Sequence, residues 1–129
     1  MKLWHDDVRP APAGWVWVQN NDDAKAILSA CSEIITEMSM DHDLGGVPYT
    51  EAGTRLKGAS DDTGYQLAYW MIFESLENNI VLPEKIVIHS WNPPGARNMI
   101  SLFNQIGHKH VAYQPFDPKA LGIGPHYVT

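Results

Sequence analysis

The sequence predicts a three-layer α/β domain: a five-stranded, mostly parallel sheet covered on both faces, with a reduced set of helices. Three observations lead there. Short β-rich runs alternate with segments of helical period, and such alternation implies crossover connections and parallel strands. Nearly every strand run ends in polar, ligand-capable residues, as expected where an α/β sheet binds ligands at its strand C-termini. The chain has 129 residues, 44% of them hydrophobic, which fits the usual ~100–200 residues of one domain with a packed core. Residues 1–129 are therefore expected to form a single domain.

The first strand is expected at Lys2-Leu3-Trp4-His5 and the second at Trp15-Val16-Trp17-Val18. Between them, Asp7 to Gly14 carries Pro10 and Pro12 and is too short for a helix, so an extended crossover or an antiparallel turn must join the two strands. The next segment has Asn21 or Asp22 as cap and Ala24, Ile27, Leu28 and Cys31 at i, i+3, i+4, i+7, a spacing that predicts a helix with Cys31 in the core. Glu37-Met38-Ser39-Met40 is the third strand. After an irregular stretch from Leu44 to Ser60, a second helix is expected from near Asp61-Asp62-Thr63 to Asn78-Asn79. Its apolar stripe is Tyr65, Tyr69, Ile72, Phe73 and Leu76, and its acidic start suits the helix dipole. Lys85 to His89 is the fourth strand. The third helix has Asn92 as cap, Pro93 at its first position, a stripe of Met99, Leu102, Phe103 and Ile106, and Gly107 as its stop. His110 to Tyr113 is the fifth strand, followed by an irregular tail from Asp117 to Thr129.

Composition narrows the functions. Nine Lys plus Arg against fifteen Asp plus Glu gives a net charge of −6, which disfavours sequence-independent binding to a duplex phosphate backbone. Single nucleotides remain eligible ligands. The lone Cys31 cannot form an internal disulfide, and Asp6 and Asp7 interrupt what would be the apolar core of a signal peptide. No run approaches the ~18 apolar residues of a membrane span. The expected location is the cytoplasm, with no membrane partner; the oligomeric state is not encoded in any pattern.

In a parallel sheet the strand ends converge. The first contributes His5-Asp6-Asp7, the third Asp41-His42-Asp43, and the fourth His89-Ser90 followed by Asn92 at a helix start. Carboxylates within ~4 Å of each other repel by roughly 4 kcal/mol per pair at an effective dielectric of ~20, so they hold a proton or a cation. Asp6, Asp7 and Asp41 are the candidate ligands, and hard oxygen donors favour Mg²⁺ or Mn²⁺. The helix start after His89 offers unpaired N–H groups to an anion, with Ser90, Asn92 and Arg97 as candidate phosphate contacts. His42 and His89 are candidate proton-transfer groups. Each has a plainer reading: Asp43 as an Asx-turn residue, Asn92 as a cap, His42 as a structural hydrogen-bonder that strand alternation points away from Asp41. Trp91, at the pocket rim, is a candidate base-stacking residue, and Arg55 and Lys57 in the Leu44–Ser60 loop are candidate lid cations.

The acidic pair after the first strand, the Asp closing the third, Thr63-Gly64 before a helix, and Gln114-Pro115-Phe116 after the fifth strand resemble a response-regulator receiver domain. More narrowly, Trp4-His5-Asp6-Asp7-Val8-Arg9-Pro10, Met40-Asp41-His42-Asp43-Leu44-Gly45 and His89-Ser90-Trp91-Asn92-Pro93 resemble the cyclic-phosphate-processing receiver-like family, whose pattern is roughly L-D-D-x-R-x-P, L-D-H-D-L-G and H-S-x-N-P. The resemblance implies a flavodoxin-like, receiver-like fold and a ligand bearing a cyclic or terminal phosphate. Two departures count against a signalling role: Gln114 replaces the Lys of a signalling receiver, and the helix after the first strand is missing.

The expected function is that of a divalent-metal-dependent phosphoesterase acting on a cyclic or terminal phosphate of a nucleotide or RNA end, with Asp41, His89 and His42 catalytic. Two alternatives stand beside it. One is a non-catalytic module that sequesters a cyclic nucleotide or other phosphorylated ligand. The other is a degenerate receiver phosphorylated on Asp41.

Overall fold

A computed structural model describes residues 1–42, 63–90 and 93–114. Five strands form one sheet in the order β2-β1-β3-β4-β5, with every neighbouring pair parallel. They are β1 (Lys2–His5), β2 (Trp15–Val18), β3 (Glu37–Met40), β4 (Lys85–Ile88) and β5 (Val111–Tyr113). Because β1 and β2 are parallel, the proline-bearing link between them is the extended crossover, and the antiparallel turn is excluded.

The helices are α1 (Asn21–Cys31), α2 (Gly64–Leu76) and α3 (Pro93–Gln105). Alternation along each strand decides what they cover. Leu3, Val18, Met38, Met40, Ile86 and Ile88 share one face of the sheet and join a single buried cluster with Ala24 and Leu28 of α1, Leu67 and Met71 of α2, and Met99 and Phe103 of α3. The opposite face presents Trp4, Ser39 and His89, all buried. The segment after β1 returns across it: the indole Nε1 of Trp4 donates to the carbonyl of Arg9 at 2.9 Å, and Trp4 meets Trp15 edge-on at 6.0 Å.

Helix boundaries follow local chemistry. The N-cap of α1 is Asn20, whose side chain accepts from the Asp23 amide at 2.7 Å, and neither Asn21 nor Asp22 fills that role. Asn21 is instead buried, its side chain turned inward. Thr63 caps α2. That helix ends at Asn78, with φ +64°, the Asn78 and Asn79 amides donating to the carbonyls of Ser75 and Glu74. Gly107, with φ +84°, closes α3 the same way: its amide and that of His108 donate to Asn104 and Phe103. Both are Schellman endings, which require a left-handed residue at this position.

Two packing expectations are corrected. Cys31 is half-buried, its thiol donating to the Ile27 carbonyl. The predicted stripe of α2 is largely its outer face: Tyr65, Tyr69, Phe73 and Leu76 are exposed, while Gly64, Leu67, Ala68, Met71 and Ile72 are buried. The helix is apolar on both sides, so its period could not say which side the sheet takes. Among the described residues no helix is long and apolar enough to cross a membrane.

Candidate functional site

The site forms at the C-terminal edge of the sheet because three strands end there in register. His5 of β1 pairs with Met40 of β3, and Met40 with Ile88 of β4, so the residues that follow, Asp6, Asp41 and His89, leave the sheet side by side. The Asp41 amide donates to the His5 carbonyl at 3.0 Å and the His89 amide to the Met40 carbonyl at 2.8 Å, carrying the register past the strand ends. Asp6, Asp7 and Asp41 then each offer a carboxylate oxygen within 4.8 Å of the others. The cluster predicted from separate segments is thus assembled.

Asp6 is fully buried and tightly bonded. Its Oδ1 accepts the backbone amides of Val8 at 2.9 Å and Arg9 at 2.8 Å, and its Oδ2 accepts Arg9 Nη1 and His89 Nε2, each at 3.0 Å. Burial alone would raise its pKa. The bonds from His89 and from the Arg9 and Val8 amides outweigh burial and hold the carboxyl below its ordinary value, hence ionised. Arg9 Nη1 also reaches Asp41 Oδ2 at 3.3 Å, so one guanidinium nitrogen bridges two carboxylates.

His89 lies beneath this bridge. Burial, its largest influence, lowers its pKa below the usual imidazole value, against the opposing pull of Asp6. The neutral ring has one consistent tautomer: Nε2–H donates to Asp6, and Nδ1 accepts the Ser39 hydroxyl at 2.6 Å. The ring stacks on the Trp4 indole with centroids 3.9 Å apart and planes 6° from parallel. Ser39, Trp4 and His89 meet because alternation puts all three on the same face of neighbouring strands.

His42 is beyond the end of β3, so strand alternation no longer directs it. Its amide donates to Asp41 Oδ1 at 2.8 Å. Its ring packs against Gly95 in the first turn of α3, where a Cβ would come within 2.6 Å of it. His42 thereby joins the acidic cluster to the helix start expected to receive an anion. Gly64 makes the matching approach from α2, its amide donating to the His42 carbonyl at 2.7 Å. Ser90 is fully buried at the end of β4, and its carbonyl accepts the Tyr113 hydroxyl at 2.7 Å.

Arg97 is not brought to this cluster. It is exposed, about 200° around α3 from Gly95 at ~100° per residue, and lines a shallow groove with Ile100, Ser101, Asn104 and Gln105. Asn92, Asp43, Trp91, the 44–60 loop with Arg55 and Lys57, and the tail lie outside the described residues.

Sequence reasoning assigned no role to Arg9, Ser39 or Trp4. The signal for Arg9 was its place in the first motif, three residues after Asp6. For Ser39 it was only the alternation that sets it on the Trp4 side of the sheet. His5, beside the cluster in sequence, faces the helices: Nε2 bonds Asn21 Oδ1 at 2.9 Å, and Nδ1 is buried with no hydrogen-bond partner among the described residues. Burial drives its pKa down to about 4.

Comparison with curated proteins and with solved structures returned no match. Comparison with protein families matches residues 1–105 to the cyclic-phosphate processing receiver domain. That span contains Asp6, Asp7, Arg9, Asp41 and His89 of the acidic network, and it takes in most of the chain. With its parallel five-stranded sheet, three helices and acidic edge, the protein belongs to the cyclic-phosphate processing receiver domain family.

Proposed function

We propose that the protein is a divalent-metal-dependent phosphoesterase that opens or removes a cyclic or terminal phosphate on a nucleotide or RNA end. The observation that carries this reading is the convergence of Asp6, Asp7 and Asp41 within 4.8 Å of one another, joined through His42 to the start of α3. Three carboxylate oxygens are the donor set that Mg²⁺ or Mn²⁺ takes alongside water and substrate phosphate. Bound there, the ion would offset negative charge developing on the phosphoryl oxygens.

The remaining work falls to the chain's own groups. Asp41 orients the attacking water. His42, half-buried between Asp41 and Gly95, gives the proton to the departing alkoxide. A new P–O bond forms from water, one ester P–O bond breaks, and water's proton replaces the one His42 gives up. His89 acts on the same reaction through Asp6, which it holds ionised and in place. Ser90, Asn92 and the α3 amides receive the phosphate.

A non-catalytic binder is the second reading, favoured by the fully bonded state of His89, whose two ring nitrogens are committed to Ser39 and Asp6. The discriminating experiment incubates the protein with 2′,3′-cyclic, 3′,5′-cyclic and linear oligonucleotide phosphates, with Mn²⁺, Mg²⁺ or EDTA, and separates the products. Turnover that needs the metal and falls at least 100-fold in Asp41→Asn is expected. Ligand recovered bound but unchanged would establish the binder instead.

A further inference from the structure

We propose that Arg9 is the resident counter-cation of the acidic cluster and that a divalent ion gains Asp6 only by displacing it. The inference rests on the metal reading above and adds the group that governs metal entry.

A carboxylate has about four acceptor positions, two on each oxygen. Asp6 has them filled: two backbone amides on Oδ1, Arg9 Nη1 and His89 Nε2 on Oδ2. A metal ligand must offer an oxygen lone pair at roughly 2.0–2.1 Å for Mg²⁺, so one of these four donors has to leave. The amides of Val8 and Arg9 are fixed by the turn that follows β1. His89 is clamped between the Ser39 hydroxyl and the Trp4 indole. Arg9 alone among the four donates from the end of a long side chain, and its guanidinium lies between the carboxylates of Asp6 and Asp41, 3.0 and 3.3 Å away. It holds the position a metal ion bridging those two groups would take. A single positive charge there lies against two buried carboxylates, and a divalent ion would replace it with twice the charge.

The test is Mn²⁺ binding, read by the electron paramagnetic resonance of free Mn²⁺ at pH 8, in wild type, Arg9→Met and Arg9→Met/Asp41→Asn. Arg9→Met is expected to bind Mn²⁺ at least tenfold more tightly than wild type, and the added Asp41→Asn to abolish the gain. Equal or weaker binding by Arg9→Met, with wild type still binding, would overturn the displacement while leaving the metal reading intact. Absence of Mn²⁺ binding in both would overturn the two together. Should Arg9→Met be destabilised without metal, a larger Mn²⁺-induced rise in Tm than that of wild type is the expected result, and no rise overturns the proposal.

Discussion

His5 ends β1 and His89 follows β4, on either side of β3 in the same sheet, and both are buried, at 0% and 3% exposure. They nevertheless face opposite sides. On the helix side, His5 bonds Asn21, whose amide in turn donates to the Thr63 carbonyl at the start of α2. That ring ties β1 to two helices, and its Nδ1 has no hydrogen-bond partner among the described residues. On the other side, His89 has both nitrogens engaged, stacks on Trp4 and contacts Asp6 directly. Burial makes both imidazoles neutral; what distinguishes them is the chemistry of the layer each one enters. The helix layer is an apolar core in which a histidine is a costly joint, whereas the opposite layer is a polar relay ending on the acidic cluster.

The largest effect expected from this contrast is a pH dependence of folding. The pKa of His5 is lowered to about 4 from 6.5. As pH falls below 6.5 the unfolded chain takes up a proton that the folded chain refuses. Stability is therefore whole above about 6.5 and is lost progressively down to about 4, by roughly 3 kcal/mol from this group. His89, shifted in the same direction, adds to the loss in the same region. Urea unfolding from pH 7 to 4.5 reads the slope, and His5→Gln should flatten it. An undiminished slope in that variant would place the titration elsewhere.

A smaller effect separates the two histidines by function. His89→Phe keeps a ring on Trp4 but strips a donor from buried Asp6, at about 2 kcal/mol in stability, and should shift Mn²⁺ affinity several-fold. His5→Gln should leave Mn²⁺ affinity within twofold of wild type. Equal sensitivity of the metal site to both changes would erase the distinction between the faces.

The smallest effect isolates one bond. Ser39→Ala removes the hydroxyl donor to His89 Nδ1 and should cost about 1 kcal/mol. In wild type the ring ¹⁵N spectrum is expected to report the Nε2–H tautomer. A protonated Nδ1 there would reverse the polarity of the relay.

Much of the fold was legible because its signals are local. The five strands occur where β-rich runs were expected, β4 and β5 each a residue shorter. Asn78 and Gly107 stop helices where their left-handed conformations require it. The carboxylate cluster was also legible, since parallel strands must bring Asp6, Asp7 and Asp41 to one edge. Other features were hidden for physical reasons. Asn20, Asn21 and Asp22 are all competent caps, and Asn21 is committed inward to His5 and the Thr63 carbonyl while Asn20 caps the helix. The side chain of Arg9 can reach in many directions, and nothing local aims it at two carboxylates.

The sequence by itself thus determined the order of elements, a mostly parallel sheet and the gathering of polar strand ends, because hydrophobic period, caps and turn residues act within a few positions along the chain. Only the tertiary structure decided which side of α2 is buried, which histidine joins the acid cluster, and what partners Ser39 and Arg9 take. Those choices depend on surfaces supplied by residues far away in sequence. α2 offers apolar side chains to both sides, and the sheet claims Leu67 and Met71 over Tyr69 and Phe73. His89 meets Ser39 across 50 positions and Asp6 across 83.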